Sequence, residues 1–168
     1  ASILPVMRWT AKERAERGGF FLREEQRPRR QSVLTIAEEL ARARRQGRPC
    51  ALVMLDVDHF KKYNDANGHL AGDKLLQELA GLVNRSVRKD DIFGRFGGEE
   101  FLLVLPNTNT TQGMAAAEKI RSLLAHHAFP FAEKQPLGCI SISGGVAEYP
   151  IHGLDAAKLL RAADEALY

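Results

Sequence analysis

The stretch RFGGEEF, from Arg95 to Phe101, places two glycines and two acids between short hydrophobic runs. The flanking residues 91–96 and 101–105 have the pattern of β-strands, and a Gly-Gly pair between such runs is a recognised hairpin signal. Glycine is favoured there because a tight turn needs a positive φ, which a β-carbon makes costly. The stretch therefore predicts a β-hairpin with adjacent carboxylates at its tip.

A second acidic element follows the continuous apolar run CALVML at residues 50–55. Such a run predicts a central strand that is buried on both faces, and it ends in Asp56, Val57 and Asp58. Side chains alternate along a strand, so Asp56 and Asp58 should share one side. With Glu99 from the hairpin they would form an oxygen-rich site suited to Mg²⁺ or Mn²⁺. For either motif alone, simple solvation of a loop end is an equally good interpretation.

The composition is typical of a soluble domain with an additional arm: 168 residues, 45% of them hydrophobic and 27% charged. Residues 1–48 hold 12 Lys and Arg against 6 Asp and Glu, whereas residues 49–168 hold 12 against 15. The basic excess therefore lies in the N-terminal residues. The arginines there fit the C-terminus of a helix and a solvated face as well as they fit a binding surface for anions. We therefore predict no nucleic-acid partner from the net charge of +3.

Cysteine usage and hydropathy favour a cytoplasmic protein. Cys50 and Cys139 lie in apolar, strand-like contexts and are predicted to be buried core thiols. No apolar run approaches the roughly 20 residues of a membrane span, and no signal-peptide pattern is present. We expect a cytoplasmic chain without a membrane segment, or the cytoplasmic domain of a larger, membrane-anchored protein.

Helical and strand-like patterns alternate along the chain. Helices are predicted at about 31–45, after a turn-rich stretch at 63–69, at about 110–125 and at 154–167, and a further strand at 140–147. This order predicts one mixed sheet with helices packed against it.

The chemistry of the acidic elements favours a nucleotide ligand. A Mg²⁺ ion held by few carboxylates usually completes its shell with water and substrate phosphates. Asn64 and Asp73 follow the strand end closely in sequence, and a carboxylate acceptor pairs well with the N–H donors of a guanine edge. The competing interpretation of Asp73 is capping and dipole compensation at the start of the next helix.

Six ordered motifs, spanning about Arg29 to Tyr168, resemble the GGDEF domain of bacterial diguanylate cyclases. They are DVDHFK at 56–61, ND at 64–65, GH at 68–69, GD at 72–73, RFGGEEF at 95–101 and ADEALY at 163–168. The resemblance implies an α/β (α+β) fold with a central mixed, mainly antiparallel sheet wrapped by helices, like the palm of nucleotide cyclases and polymerases. It also implies an N-terminal linker or arm at 1–30 and a GGDEF catalytic domain at 31–168.

The resemblance implies condensation of two GTP molecules into cyclic di-GMP, with release of two pyrophosphates. Each domain would bind one GTP, so turnover would require a homodimer that is at least transient. The implied cofactor is Mg²⁺ or Mn²⁺, which would neutralise developing charge and lower the pKa of the attacking hydroxyl.

The family's functional residues can be transferred to matching positions of this sequence. Asp56, the Val57 carbonyl and Glu99 would hold the metal, and Glu99 would also accept the proton of the attacking 3′-hydroxyl, with Glu100 beside it in the catalytic pair. The substrate would be bound by Asn64, His69 and Asp73, with His59, Phe60 and Lys61 along the phosphates.

Arg88 and Asp91 form an RxxD motif that five residues separate from Gly97, and this spacing matches the family's product-inhibition site. An arginine forks onto phosphate or a guanine edge, and the aspartate is the complementary acceptor. The same pair is also common by chance, and its register relative to the hairpin is what favours the inhibitory site for cyclic di-GMP.

Three departures from the family pattern bear on activity. Residues 21–28 lack the acid, threonine and asparagine of the usual DxLTGLxN segment, which should loosen the arm or weaken activity. Gly144 stands where the last strand usually has an aliphatic residue, which should weaken packing there. The sequence ends at Tyr168, before the Lys and Arg that the family places on the phosphates, and a protein that truly lacks this tail should bind GTP more weakly.

Three alternatives to an active cyclase stay open at this point. The first is a non-catalytic receptor that binds cyclic di-GMP through Arg88 and Asp91. The second is a phosphatase with Asp56 and Asp58 as nucleophile and acid, although Phe60 does not fit its usual pattern. The third is a dimerisation module, whose thermal stability would not respond to nucleotide.

Overall fold

The computed structural model describes residues 6–7 and 27–167, with side chains described for residues 32–167. The strands are β1 Val6–Met7, β2 Cys50–Val57, β3 Ile92–Gly97, β4 Glu100–Pro106 and β5 Ile142–Tyr149. The helices are α1 Arg27–Gln46, α2 Phe60–Asn67, α3 His69–Ser86, α4 Thr110–His126 and α5 Ala156–Leu167, with a short 3₁₀ helix at Ala132–Lys134. Residues 21–28, which stand where the family has its DxLTGLxN segment, lie almost entirely outside the described residues.

The five strands form a single sheet in the order β1-β5-β2-β4-β3. Every pairing in the described part of the chain is antiparallel, and β2 is central because it pairs with β4 on one side and with β5 on the other. The expected class, a mainly antiparallel sheet wrapped by helices, is confirmed. The buried strand at residues 50–55 is also confirmed, since all eight residues of β2 are buried.

Alternation along β2 divides the core into two layers. Ala51, Val53 and Leu55 pack with apolar residues of α2, α3 and α4, whereas Leu52 and Met54 pack with α1 and α5. A strand whose two faces are both covered must be apolar throughout, which explains the unbroken run in the sequence. The acids that follow the run therefore lie at the end of the most buried strand.

Residues 63–69, predicted to be turn-rich, instead form most of α2 and the start of α3. Asn and Asp favour turns, but here the packing of Phe60 and Tyr63 outweighs that preference. The Tyr63 hydroxyl donates to the Pro130 carbonyl at 2.9 Å, and Asn67 Nδ2 donates back to the Tyr63 carbonyl at 2.9 Å. Burial, followed by the charges of Glu78 and Glu133, raises the pKa of Tyr63, so the hydroxyl stays a donor.

The N-terminal residues contribute more than an irregular arm, because Val6 and Met7 pair with Gly145 and Gly144 of β5. A two-residue strand is too short to produce a pattern, so the sequence did not predict it. A Cβ at Gly145 would overlap the Ala163 carbonyl and lie 2.9 Å from the Ala166 carbonyl carbon. Glycine at 145 thus allows α5 to approach the sheet closely, while the expected weakening at Gly144 stays a prediction.

The two cysteines differ in their surroundings. Cys50 is buried in β2, and burial, with a smaller effect of Glu39, raises its pKa to about 12, so the thiol is neutral. Cys139 is half-buried and precedes β5, so the prediction of a buried strand thiol is wrong for Cys139. Both thiols are free.

None of the helices in residues 27–167 has the length and apolar character needed to cross a membrane.

Candidate functional site

The tip of β2 brings the two acidic elements together. Asp56 is fully buried and lies opposite Glu100 in the register of β2 and β4. The next residue, Val57, donates its N–H to the Glu99 carbonyl at 3.1 Å. This hydrogen bond fixes the hairpin turn directly beside the end of the buried strand, as the sequence predicted.

The hairpin places Glu99 in a two-residue turn. Gly97 pairs with Glu100, so Gly98 and Glu99 are the central residues. Gly98 has φ +34°, and glycine at the first central position is the arrangement of a type II′ turn. Gly97 belongs to β3 instead, which refines the expectation that both glycines form the turn. A register shift between Arg95 and Gly97 bends the strand here.

Asp58, which the acidic spacing grouped with the proposed metal ligands, is held by two serine side chains. Its carboxylate accepts from Ser141 Oγ at 2.9 Å and from Ser143 Oγ at 2.6 Å, and its N–H donates to the Ser141 carbonyl at 2.9 Å. Ser143 lies opposite Asp56 in the register, so Asp58 leans toward the same face as Asp56. The physical role seen here is to clasp the ends of β2 and β5 together.

The other predicted metal ligands are oxygen donors at the strand tip and in the hairpin turn. Asp56 and Glu99 supply carboxylates and Val57 supplies a main-chain carbonyl, which is the donor type that Mg²⁺ and Mn²⁺ prefer. Within residues 32–167 no three His, Cys, Asp or Glu side chains converge into a complete metal site. An ion held by two carboxylates and one carbonyl would take its other ligands from water and substrate phosphates.

The N-terminus of α2 lies immediately after this strand tip. His59, the residue before the helix, adopts the left-handed conformation with φ 56° and ψ 26°, and no side chain caps the helix. A sparsely populated backbone state of this kind is often found at functional sites. The first N–H groups of a helix have no intrahelical partner and favour phosphate, and Phe60 and Lys61 lie in that first turn.

Asn64 lies on α2 where it packs against α3. Its Oδ1 atom is buried and has no hydrogen-bond partner among the described residues. A buried acceptor that is left unsatisfied costs about 1–3 kcal/mol. The sequence predicted a ligand-binding role for Asn64, and this role stays a prediction, while the unsatisfied oxygen is a capacity that a ligand donor could use.

His69 and Asp73 lie on α3, and both are exposed. Gly68 is the residue before the helix, so Asp73 is the fifth helical residue, and no acid lies in the first turn. The capping interpretation of Asp73 is therefore wrong. Asp73 directly follows Gly72, which packs against Asn64, so Asp73 is one residue away from the α2–α3 contact.

Arg88 and Asp91 form a separate polar site at the other end of β4. The Arg88 Nε and Nη2 atoms donate to the two Asp91 carboxylate oxygens at 3.2 and 3.0 Å, and the Arg88 N–H donates at 2.9 Å. They line a cleft of about 260 Å³. Leu105, five residues beyond Glu100, also lines it, which separates the two sites by about 17 Å along the strand.

The chain matches a family model described as diguanylate cyclase, GGDEF domain, over residues 28–168. This match covers most of the sequence and includes both acidic elements. The chain belongs to the GGDEF domain family. Its sheet, its hairpin and the strand tip beside it are therefore those of a GGDEF domain.

Among curated relatives, this GGDEF domain is 40% identical over 134 residues to diguanylate cyclase DgcP of Pseudomonas aeruginosa, covering 79% of the chain and 19% of that protein. It is 36% identical over 130 residues to diguanylate cyclase DosC of Escherichia coli, covering 77% of the chain and 28% of that protein. The chain thus spans less than a third of the length of these two relatives.

Solved structures give the same result for the fold. The active GGEEF domain of a diguanylate cyclase from Vibrio cholerae is 35% identical, with a TM-score of 0.74 over 83% of this chain and 87% of that chain. The GGDEF domain of DgcB from Caulobacter crescentus, solved in complex with c-di-GMP, is 29% identical, with a TM-score of 0.74 over 83% of this chain and 82% of that chain.

Sequence analysis did not identify four residues that lie near the two sites of this GGDEF domain. Ser141 and Ser143 hold Asp58, and their alternation with Ile140 and Ile142 was an available signal for a one-sided polar strip. Thr108 and Lys119 line the Arg88 cleft. These two residues are distant from Arg88 in sequence, so only the folded chain brings them together.

Proposed function

We propose that this domain condenses two GTP molecules into cyclic di-GMP and releases two pyrophosphates. The observation that supports this proposal most is the hydrogen bond from the Val57 N–H to the Glu99 carbonyl, which joins the strand tip to the acidic turn. Two carboxylates and a carbonyl would then be available at one place, beside a helix N-terminus that suits phosphate. Family membership agrees with this chemistry.

Asp56, the Val57 carbonyl and Glu99 would hold Mg²⁺ or Mn²⁺. A bound divalent ion would neutralise phosphate charge and make the attacking 3′-hydroxyl more acidic. Glu99 would accept the hydroxyl proton. Glu100 would stand beside it as the second acid of the catalytic pair.

The remaining predicted residues would bind and orient GTP. The main chain at His59 and Phe60, together with the exposed Lys61, would lie along the phosphates at the start of α2. Asn64 and Asp73 would accept hydrogen bonds from the guanine edge, with His69 at the rim of the same pocket. One domain offers one such pocket, so the condensation would need two domains that face each other as a homodimer.

The Arg88 cleft would bind the product and reduce activity. The side chain of Arg88 is 63% exposed while that of Asp91 is 5% exposed, so the buried acid holds a guanidinium that points outward. A pre-oriented guanidinium suits bidentate contact with phosphate or guanine. Lys119 adds a second cation to the lining.

Chromatography of GTP reactions tests the proposal. Wild type with Mg²⁺ should form cyclic di-GMP and pyrophosphate, whereas chelator or the Glu99→Ala substitution should abolish the product. Binding of cyclic di-GMP without turnover would identify a receptor, and an acyl-phosphate trapped on Asp56 would identify a phosphatase. A protein that shows no stability change with any nucleotide would be a dimerisation module.

The cytoplasmic location stays a prediction. The predicted domain boundary at residue 30 also stays a prediction, and it falls inside helix α1, which begins at Arg27.

A further inference from the structure

Gly72 is buried at the junction of α2 and α3. A Cβ at this position would overlap Asn64 Oδ1, would lie 2.8 Å from Asn64 Cγ and would lie 3.1 Å from Phe60 Cζ. Contacts below 3.0 Å require an atom to move. The Asn64 amide therefore occupies the space that any side chain at residue 72 would need.

The atom that fills this space is the buried Oδ1 atom, which has no hydrogen-bond partner within residues 32–167. Its main chain is fixed, because the Asn64 carbonyl accepts from the Gly68 N–H at 2.7 Å within the turn between the helices. The amide group is thus the part of Asn64 that can yield. A methyl group at residue 72 would displace the amide rather than separate the helices.

We propose that Gly72 is a positioning residue for guanine selection, acting through Asn64. The inference rests on the proposed function, in which Asn64 accepts from the guanine edge. The missing side chain at Gly72 leaves room for the amide to pack against α3. Pre-orientation of a polar group increases affinity because less freedom is lost on binding.

Other glycines show why this position differs from a purely structural one. A Cβ at Gly145 would meet main-chain atoms of α5, which cannot yield without moving a helix. A Cβ at Gly81, in the same helix as Gly72, would meet the Arg85 Nη1 atom at 3.4 Å, an ordinary contact. Gly72→Ala should thus alter the pocket with little loss of fold, and Gly81→Ala is its matched control.

Steady-state kinetics with GTP and inosine triphosphate test the role of Gly72. Inosine triphosphate lacks the 2-amino donor of guanine, so it reports on hydrogen bonds to the base edge. Gly72→Ala should raise the KM for GTP about tenfold or more, the effect of about 1.4 kcal/mol of lost binding. The value of kcat should change much less, and the preference for GTP over inosine triphosphate should fall. Gly81→Ala should leave KM, kcat and the preference unchanged.

A double-mutant cycle with Asn64→Ala separates positioning from general damage. Asn64→Ala removes the atoms that the new methyl group would overlap, so adding Gly72→Ala to it should raise KM little further. Additive effects, or unchanged nucleotide preference in Gly72→Ala, would overturn the proposal. So would a Gly72→Ala protein that fails to fold and whose fold Asn64→Ala does not restore, as judged by thermal melting.

The proposed function fails in a different way. If the wild-type protein neither binds GTP nor forms cyclic di-GMP, the assignment of the pocket is wrong. If the wild type turns over GTP and Gly72→Ala behaves like Gly81→Ala, the pocket stands and only the role of Gly72 is rejected.

Discussion

Asn64 and Asp91 both have polar side chains beside the sheet, yet their hydrogen-bonding capacity is used differently. Asn64 keeps a buried acceptor without a partner in the described part of the chain. Asp91 receives three hydrogen bonds from Arg88, two of them from the guanidinium. The first region, defined as the strand tip with the α2–α3 junction, leaves bonding capacity for a ligand. The second, the Arg88 cleft, uses its acid to orient a cation.

This difference predicts distinct consequences of mutation. An unsatisfied acceptor already costs stability, so removing it should affect ligand binding more than folding. An internally paired acid contributes by holding its partner, so removing either member changes both the cleft and its ligand affinity. Since the two regions lie at opposite ends of β4, substitutions in one should leave the other intact.

The largest effect is expected for Asp56→Asn at the strand tip. Neutralising a proposed metal ligand should reduce cyclic di-GMP formation by about a thousandfold, as losses of electrostatic stabilisation in active sites do. The stabilisation of wild type by Mg²⁺ with GTP, seen as a raised Tm, should disappear as well. Calorimetry should still detect cyclic di-GMP at the Arg88 cleft.

Asp65→Asn is the matched control, because Asp65 is exposed on α2 and has no assigned role. It should retain activity and the Mg²⁺-dependent rise in Tm. Loss of product binding in Asp56→Asn would contradict the separation of the two regions.

The sequence was sufficient for the parts of the molecule that local pattern determines. An unbroken apolar run identified β2 because a strand covered on both faces has no polar positions. Gly98 indicated the hairpin because the turn needs a positive φ, which glycine adopts at little cost. The acids at these two places were consequently predicted at the correct ends of their strands. The Arg88 and Asp91 pair also followed from local spacing, since the contact is made within one loop.

Features that depend on distant contacts were not predictable in the same way. The helix α2 forms because Phe60 and Tyr63 are buried, against the turn preference of its polar residues. The clasp on Asp58 joins residues more than eighty positions apart. The overlap between Gly72 and Asn64 depends on how two helices pack, which periodicity alone does not determine.

Arg88→Ala should give the second largest effect, confined to the cleft. Loss of the guanidinium should raise the cyclic di-GMP concentration needed for half-inhibition at least tenfold, because charged hydrogen bonds contribute about 1.5–3 kcal/mol. Progress curves with added product measure this, with the rate before product accumulates as the reference. Arg85→Ala, an exposed neighbour on α3, should remain inhibited like wild type. Equal inhibition of both variants would remove the cleft from the regulatory model.

Ser143→Ala tests whether the Asp58 clasp in the strand tip behaves like the paired acid of the cleft. Ser143 Oγ donates to the buried Asp58 carboxylate at 2.6 Å, so its loss should reduce the free energy of unfolding by about 1–3 kcal/mol. Urea denaturation measures the change. In a double-mutant cycle with Asp58→Ala, the combined loss should be smaller than the sum of the single losses. Strict additivity would show that the bond contributes nothing of its own.

The smallest effect is expected for Thr108→Val in the Arg88 cleft. Thr108 Oγ1 accepts from Arg88 Nη2 at 2.9 Å and donates to the Pro106 carbonyl at 2.9 Å. Valine keeps the shape but removes this acceptor, while both guanidinium bonds to Asp91 remain, so cyclic di-GMP affinity should fall about two- to tenfold. Calorimetric titration measures it, with the exposed Thr111→Val on α4 as control. A loss as large as that of Arg88→Ala would mean that Thr108, rather than Asp91, sets the orientation of the guanidinium.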